Sequence, residues 1–252
     1  MQMQLDRYAY LDKPLHRWEP RCKLAGMMVL IFAFSYVRDL RLLPVILAVS
    51  GAMYVYSGLP VSFLLSRLRL PALFLVAVAV ILPFASGQTV LMQLGPLAVK
   101  EEGCLDLLRI AVKFFAILTL GVILFGTMPF LTAVKAMRGL GLPVILADMT
   151  MFSYRYLFEI GDDLKTMQTA MRLRGFRNNK LGGVGSLAAL AGTILVRSFE
   201  QSDRVYKAMI LRGYGQPASY KEDFRARTVD VAGMLLLISA AAAVVAAELL
   251  WR

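Results

Sequence analysis

Two short stretches in the second half of this sequence repeat the same chemistry. Their sequences are Ala170-Met-Arg-Leu-Arg174-Gly175-Phe176 and Ala208-Met-Ile-Leu-Arg212-Gly213-Tyr214, and five of the seven positions are identical. In a helix, alanine and arginine four residues apart lie on one face, one turn from each other. The arginine falls in the last turn, where the helix dipole favours a cation. The glycine after it is the usual helix cap, because it has no Cβ to oppose a left-handed backbone.

This pattern predicts a helix end that contacts a partner. Alanine lets another surface approach closely, and the guanidinium carries five donors in a rigid fork that suits a carboxylate or backbone carbonyls. An ordinary helix terminus explains one such copy, but two matched copies favour a partner with two equivalent sites, such as a dimer. A third stretch, Ala136-Met-Arg-Gly139, has a different spacing and predicts a helix end only. The predicted docking residues are Ala170, Arg174, Gly175, Ala208, Arg212 and Gly213.

The remaining polar residues predict no catalytic residue, no metal site and no cofactor. The only histidine, His16, lies in a basic arm, and Cys22 and Cys104 are far apart in the sequence. Asp148 stands in an apolar run, where an ionisable group is a functional candidate by default. We expect it instead to favour the dipole at the start of a helix or to pair with Arg155.

Three further acids precede the repeated motifs by about three helical turns. We expect them to pair with basic neighbours or to face water. They are Asp162, Asp163 and Glu200.

The elements that must position the motifs belong to a membrane protein. The chain has 252 residues, of which 58% are hydrophobic and only 18% are charged, whereas soluble domains carry about 25% charged residues. The hydrophobic residues form blocks, and roughly 20 apolar residues cross a bilayer. The first two blocks predict either a tight helical hairpin, which we favour, or one span plus a partly buried helix. The blocks are Leu24–Val37, Leu42–Tyr56, Leu70–Ser86, Ala111–Gly126 and Val231–Trp251.

The net charge of +11 is explained by topology rather than by nucleic acid. With the N-terminus inside and five spans, the inside segments 1–23, 57–69 and 127–230 hold 22 of the 28 Lys and Arg. Positive residues favour the cytoplasmic side. We therefore expect the N-terminus and the motif region to be cytoplasmic, with cysteines on opposite faces and no disulfide between them.

Three helices are predicted in the motif region, over Pro129–Arg138, Val144–Arg174 and Val184–Arg212, with a loop rich in Arg, Asn and Gly at Phe176–Gly183 between the last two. The two long helices each measure on the order of 45 Å, so they begin among the spans and end in the cytoplasm. A sixth span at 184–196 is left open, and an outside loop is expected over 88–109.

The predicted organisation has three segments. An N-terminal arm and four spans occupy 1–127, a cytoplasmic coupling-helix region occupies 128–230, and the last span occupies 231–252. The predicted fold class is all-α, a polytopic membrane protein with about five transmembrane helices plus long cytoplasmic coupling helices.

On these residues the chain resembles the CbiQ/EcfT family, the transmembrane component of energy-coupling factor (ECF) transporters. Family members carry two Ala-Arg-Gly motifs, which match Ala170/Arg174/Gly175 and Ala208/Arg212/Gly213. The arm Leu5-Asp6-Arg7-Tyr8-Ala9-Tyr10, followed by Pro20-Arg-Cys-Lys23-Leu24, resembles the opening of the cobalt-type CbiQ branch.

The resemblance implies a non-catalytic subunit of an importer in a bacterial or archaeal cell membrane. The motif helices would cross and dock on two ABC-type ATPase subunits (CbiO-like) through the two arginines. The spans would hold a substrate-binding membrane subunit (CbiM-like), with a CbiN-like subunit in addition. The cargo implied is cobalt, for cobalamin biosynthesis, with nickel second and a vitamin such as biotin third.

Two other classes of function compete with this interpretation. An intramembrane enzyme needs a histidine at membrane depth, a His-Glu-x-x-His motif or clustered aspartates, and the sequence has none of these. A self-contained secondary carrier usually repeats its membrane half, whereas the repeat here lies in the region predicted to be cytoplasmic. The sequence also lacks the Gly-x4-Gly-Lys-Ser/Thr motif that binds ATP phosphates.

Overall fold

A computed structural model of the chain describes residues 13, 15–85, 90–94, 97–175, 183–215, 224 and 227–250. The arm at 5–10, Phe176 with the rest of the loop up to 182, and Trp251 lie outside the described residues. Eight helices and one β-hairpin form within these ranges, so the all-α membrane fold class is confirmed. The elements are α1 Pro20–Tyr36, a 3-10 turn Leu40–Leu42, α2 Leu43–Ser57, α3 Val61–Ala85, β1 Val90–Leu94, β2 Leu97–Lys100, α4 Glu101–Gly126, α5 Phe130–Gly139, α6 Val144–Leu173, α7 Gly183–Leu211 and α8 Thr228–Leu250.

Four helices in the described part of the chain are long and apolar enough to cross a membrane. They cover Leu40–Ser57, Val61–Leu82, Glu102–Gly126 and Thr228–Leu250. Helix α1 has 17 residues, which is the lower limit for a span, so the fifth span stays a prediction. The long helices α6 and α7 are not among the four, and the sixth span left open by the sequence gains no support.

Helices α1 and α8 run parallel, as contacts between their two starts and between their two ends show. Just before α1, Trp18 donates its indole N–H to the carbonyl of Asp230 in the first turn of α8, at 2.9 Å. Just after α1, the backbone amides of Arg38 and Asp39 donate to the carboxylate of Glu248 near the end of α8, at 3.0 and 3.1 Å. Two helices that run in the same direction through a bundle are consistent with an N-terminus and a C-terminus on opposite faces.

Helix α4 runs antiparallel to α1. Lys23, in the first turn of α1, is buried and donates to the carbonyls of Leu15 at 2.8 Å and of Thr127, just past α4, at 3.2 Å. At the other end, Lys113 near the start of α4 donates to the carbonyl of Ser35 at 3.1 Å. The interior between these ends is apolar, and it includes Met27, Leu30, Phe34, Leu120 and Ile123.

Helices α1 and α2 run in opposite directions with a short connection, but α2 packs mainly on α4 rather than on α1, so the two do not form the tight hairpin expected from the sequence. Pro20 begins α1 and suits a first helical turn because its missing N–H would have no partner there. Helix α2 ends at Gly58, where the backbone is left-handed with φ +65 and lies against the side chain of Lys13. The end of α2 therefore returns to the side from which α1 starts.

Two predicted boundaries were wrong. The loop expected over 88–109 contains the hairpin of β1 and β2, paired from Val90 to Lys100, and α4 already begins at Glu101. Polar residues in its first turns hid this start, although Asp106 and Arg109 pair there at 2.6 Å. Helix α3 likewise begins at Val61, so its basic first turns do not form a loop over 57–69.

The chain divides into two compact units. One comprises Pro143–Asp223, with α6 and α7, and the other comprises Gln2–Leu142 with Phe224–Arg252. Helix α5 belongs to the second unit, where the last residue of the helix, Gly139, lies against the side chain of Arg21. The three-segment division drawn from the sequence stays a prediction.

We predict that Gly233→Ala destabilises the membrane unit, which is the unit formed by Gln2–Leu142 with Phe224–Arg252, whereas Gly51→Ala does not. A Cβ at Gly233 in α8 would lie 2.8 Å from Cζ2 of Trp18, while a Cβ at Gly51 in α2 meets nothing within 4 Å. Overpacking of this kind costs about 1–3 kcal/mol, whereas an alanine in open space favours the helix. Thermal unfolding of the purified chain in one detergent measures both, and equal unfolding temperatures for the two variants would contradict the predicted packing.

Candidate functional site

The two repeated motifs end α6 and α7 as the sequence predicts. Helix α6 covers Val144–Leu173 with Arg174 as its C-cap, and α7 covers Gly183–Leu211. The predicted bounds, Val144–Arg174 and Val184–Arg212, are confirmed to within one residue. The helices stop at the motifs because each motif glycine has a left-handed backbone, with φ +82 at Gly175 and φ +80 at Gly213.

The end of α7 is a Schellman turn. The amide of Gly213 donates to the carbonyl of Ile210 at 2.9 Å, and the amide of Tyr214 donates to that of Met209 at 3.0 Å. These two bonds satisfy carbonyls that the helix itself leaves without donors. At the first motif, the amide of Gly175 makes the matching bond to the carbonyl of Arg172 at 3.1 Å.

The two motif positions require glycine because of their backbone conformation and not because a side chain would clash. A Cβ added at Gly175 or at Gly213 would meet no atom within 4 Å. The left-handed conformation, however, costs an ordinary residue about 1–2 kcal/mol. The glycines therefore set the direction in which the chain leaves each helix.

Helices α6 and α7 cross as an antiparallel pair. At the crossing, the amide of Gln201 donates to the carboxylate of Glu159 at 2.6 Å, and Arg197 lies 3.9 Å from Asp163. An exposed ion pair of this length contributes little stability by itself. Its position matters more, because it fixes which residues of the two helices meet.

An approximate two-fold axis passes through this crossing. The two motifs are offset by 38 residues, and the same offset carries Glu159 onto Arg197 and Asp163 onto Gln201. A two-fold rotation that swaps the two helices therefore places the Glu159–Gln201 contact on the Asp163–Arg197 contact. Each motif arginine follows the crossing by about 13 residues, which is on the order of 20 Å along a helix.

The structure places the two motifs at opposite ends of the α6–α7 pair, since the pair is antiparallel. All six predicted docking residues are exposed: Ala170, Arg174, Gly175, Ala208, Arg212 and Gly213. Among the described residues, the side chains of Arg174 and Arg212 have no hydrogen-bond or ion-pair partner.

A large apolar residue precedes each motif arginine and is also exposed. Leu173 is 84% exposed and Leu211 is 88% exposed. The two leucines correspond under the 38-residue offset. An apolar side chain next to a free guanidinium, presented twice in the same way, is typical of a surface that a partner covers.

The grooves beside the two motifs differ in chemistry. A groove of about 570 Å³ at the first motif is lined mainly by small residues, among them Ala170, Ser186 and Ala189. A groove of about 730 Å³ at the second motif is lined by larger residues, with aromatic, methionine and aliphatic side chains such as Phe152 and Tyr214 beside a few serines. The two ends are therefore matched in their backbone and their arginine, but not in their surroundings.

Asp148 is buried near the start of α6 and is paired, as expected, but with a different partner. Its carboxylate accepts a hydrogen bond from the hydroxyl of Tyr214 at 3.1 Å. Of the two expected alternatives, pairing with Arg155 is not formed: the guanidinium of Arg155 lies over the ring of Tyr156, 5.9 Å from its centroid. No local sequence pattern predicts a contact between residues this far apart in the chain.

The acids that precede the motifs pair with basic neighbours, as predicted. Lys165 donates to Asp162 at 3.0 Å, and this hydrogen bond holds the pKa of Asp162 below its ordinary value. Glu200 lies 3.9 Å from Arg204. These exposed pairs stabilise the helix faces between the crossing and the motifs.

Comparison with known proteins gives a consistent result. The model of the CbiQ family, described as a cobalt transport protein, matches residues 12–222. The energy-coupling factor transporter transmembrane protein EcfT of Lactococcus lactis is 30% identical over 227 residues, which cover 84% of this chain and 84% of that protein. The protein of the same name from Heliobacterium modesticaldum is 26% identical over an alignment of 260 positions, gaps included, which covers 93% of this chain and 95% of that protein.

We predict that Gly213→Ala loosens the end of α7 and that Gly213→Asn does so less. Alanine is strained at φ +80, by about 1–2 kcal/mol, whereas asparagine visits this conformation more readily. The measurement is the hydrogen-exchange rate of the backbone amides at positions 213 and 214. In Gly213→Ala this rate should rise by about tenfold.

The matched control is Gly161→Ala in the interior of α6, where the backbone is not left-handed and a Cβ meets nothing within 4 Å. Exchange that is equally slow at the α7 end in the wild type and in Gly213→Ala would refute the backbone argument.

Proposed function

We propose that this chain, which belongs to the CbiQ/EcfT family of ECF transporter transmembrane components, couples ATP hydrolysis in two partner ATPases to the uptake of a small nutrient. The observation that carries the proposal is the pair of matched helix ends. Each presents an exposed leucine, a guanidinium without a partner among the described residues, and a glycine cap. The crossing of α6 and α7 relates the two ends by an approximate two-fold axis.

A partner with two equivalent sites fits this arrangement. Two ATPase subunits that face each other across a two-fold axis would each receive one end of the α6–α7 pair. Arginine suits the contact, because its planar fork donates to a carboxylate or to backbone carbonyls at a fixed angle. The chain carries no phosphate-binding motif of its own, so the ATPase chemistry belongs to the partners and this chain is a non-catalytic subunit.

The mechanical role follows from the geometry of the pair. Each arm from the crossing to a motif is a continuous helix on the order of 20 Å long. When the ATPases close on ATP, they would move the two ends toward each other and change the angle at the crossing. A rigid helix transmits this displacement to whatever packs on the pair, which we propose is the substrate-binding membrane subunit.

We place the motif region and the N-terminus in the cytoplasm of a bacterial or archaeal cell. The charge bias of 22 of 28 Lys and Arg in the inside segments supports this orientation. The parallel course of α1 and α8 supports an odd number of spans, because a fifth span formed by α1 puts the two termini on opposite faces. In that orientation both motifs lie on the side where ATP is available.

Cobalt ion is the cargo that we propose first, with nickel and then a vitamin such as biotin as alternatives. The description of the matching family names cobalt transport, whereas the name of the relatives states no cargo. The substrate-binding partners proposed for cobalt are a CbiM-like and a CbiN-like subunit. A partner is needed for capture because the chain supplies a single histidine and two separated cysteines.

We predict that Arg174→Ala and Arg212→Ala each weaken the binding of the ATPase subunits and reduce uptake. Loss of a charged hydrogen bond costs about 1.5–3 kcal/mol, which corresponds to a roughly 10- to 150-fold weaker complex. Binding is measured with the purified chain in lipid nanodiscs and the ATPases from the same organism, and uptake is measured in cells.

The matched control is Arg172→Ala. This arginine is exposed in the same last turn of α6, but the second motif has Ile210 at the corresponding position. We expect it to bind the ATPases as the wild type does. Normal binding and uptake by the Arg174→Ala/Arg212→Ala double variant, with normal insertion in the membrane, would remove the basis of the proposed function.

A further inference from the structure

The two docking ends are held differently, and a hydrogen bond contributes to the difference. The hydroxyl of Tyr214 donates to the buried carboxylate of Asp148 at 3.1 Å. This bond ties the residue two positions after Arg212 to the beginning of the other helix. Gly213, with φ +80, lies between Tyr214 and the arginine. The end of α7 is therefore fixed both to its own last turn and to α6.

The first motif lacks the residues for the same bond. The 38-residue offset places Ser186 where Asp148 stands, and Phe176 where Tyr214 stands. Phenylalanine has no hydroxyl to donate, so this bond cannot be repeated at the end of α6, whatever conformation Phe176 has. Ser186 lines the groove beside the first motif, whereas Tyr214 itself lines the groove beside the second.

We propose that Asp148 and Tyr214 are positioning residues that preorganise Arg212 for docking, and that this bond makes the second docking end the more rigid of the two. The inference rests on the proposed function, in which Arg212 contacts an ATPase. A side chain that is already held in its binding position loses less conformational entropy when the complex forms. The first end, which lacks this bond, orders on binding.

The first test uses the chain alone, so it does not depend on any partner. Cys22 and Cys104 are replaced by serine, and spin labels are placed at the exposed residues Ile145 and Leu211, near the start of α6 and the end of α7. In lipid nanodiscs, Tyr214→Phe should broaden the distribution of distances between the labels about twofold. Tyr206→Phe, an exposed tyrosine of the same groove, should leave it unchanged. An unchanged distribution in Tyr214→Phe would overturn the inference.

The second test measures docking of the full chain on the ATPases. Tyr214→Phe and Asp148→Ala should each weaken binding by about tenfold, and the two changes together should cost no more than one, because they remove the same bond. Asp148→Asn keeps an acceptor oxygen and should recover most of the affinity. A purely structural role for Asp148 gives no such recovery with asparagine and no such non-additivity.

The outcomes separate this inference from the proposed function. If Arg212→Ala weakens docking while Tyr214→Phe does not, the positioning role is wrong and the docking role stands. If neither Arg174→Ala nor Arg212→Ala affects docking, the proposed function fails, and the inference that depends on it fails with it.

Discussion

The arrangement of the coupling region depends on where α6 crosses α7. The contacts of Glu159 with Gln201 and of Asp163 with Arg197 place the crossing at the same distance before each motif. A shift of one helical turn along either helix would change the length of that helix's arm by about 5 Å and leave the other arm unchanged. The two arginines would then no longer be equivalent about one axis. The 38-residue repeat in the sequence therefore requires this register of the crossing, because only this register keeps the two arginines at equal distances from it.

In the membrane unit the main constraint is the need for hydrogen-bond partners. Inside a bilayer every backbone polar group must find a partner within the protein, so the buried polar side chains cluster at helix ends, where free amides and carbonyls remain. Lys23 donates to two carbonyls at one end of the bundle, and Glu248 accepts from two backbone amides at the other. Between them, Gly26 lets α1 approach α8 closely, and Gly233 in α8 leaves room for Trp18 just before α1.

Helix ends were the most predictable part of this molecule. The bounds of α6 and α7 followed from Gly175 and Gly213, because only a left-handed cap explains a glycine after an arginine at the close of a long periodic run. The starts of α3 and α4 were less predictable, since Arg67 or Glu102 looks like a loop residue when apolar runs are the criterion. The hairpin of β1 and β2 was not predicted either, for its residues are apolar and carry no helical period.

Long-range contacts could not be predicted from one sequence. The pairing of Asp148 with Tyr214 joins residues 66 positions apart, and Arg155, about two turns further along the same helix, was an equally reasonable partner. The exposure of the motif arginines, by contrast, was expected, because a guanidinium in the last turn, directly before a glycine cap, projects past the end of its own helix. Predicting their partner required the resemblance to a family in addition to the physics of the residues.

The most direct test of the account is a pull-down of this chain from its native membrane in mild detergent, with the masses of the bound proteins determined. The coupling role predicts an ABC-type ATPase in two copies, together with a small membrane subunit whose identity names the cargo. Recovery of the chain alone, from a membrane fraction that still takes up substrate, would contradict the account and favour a self-contained carrier.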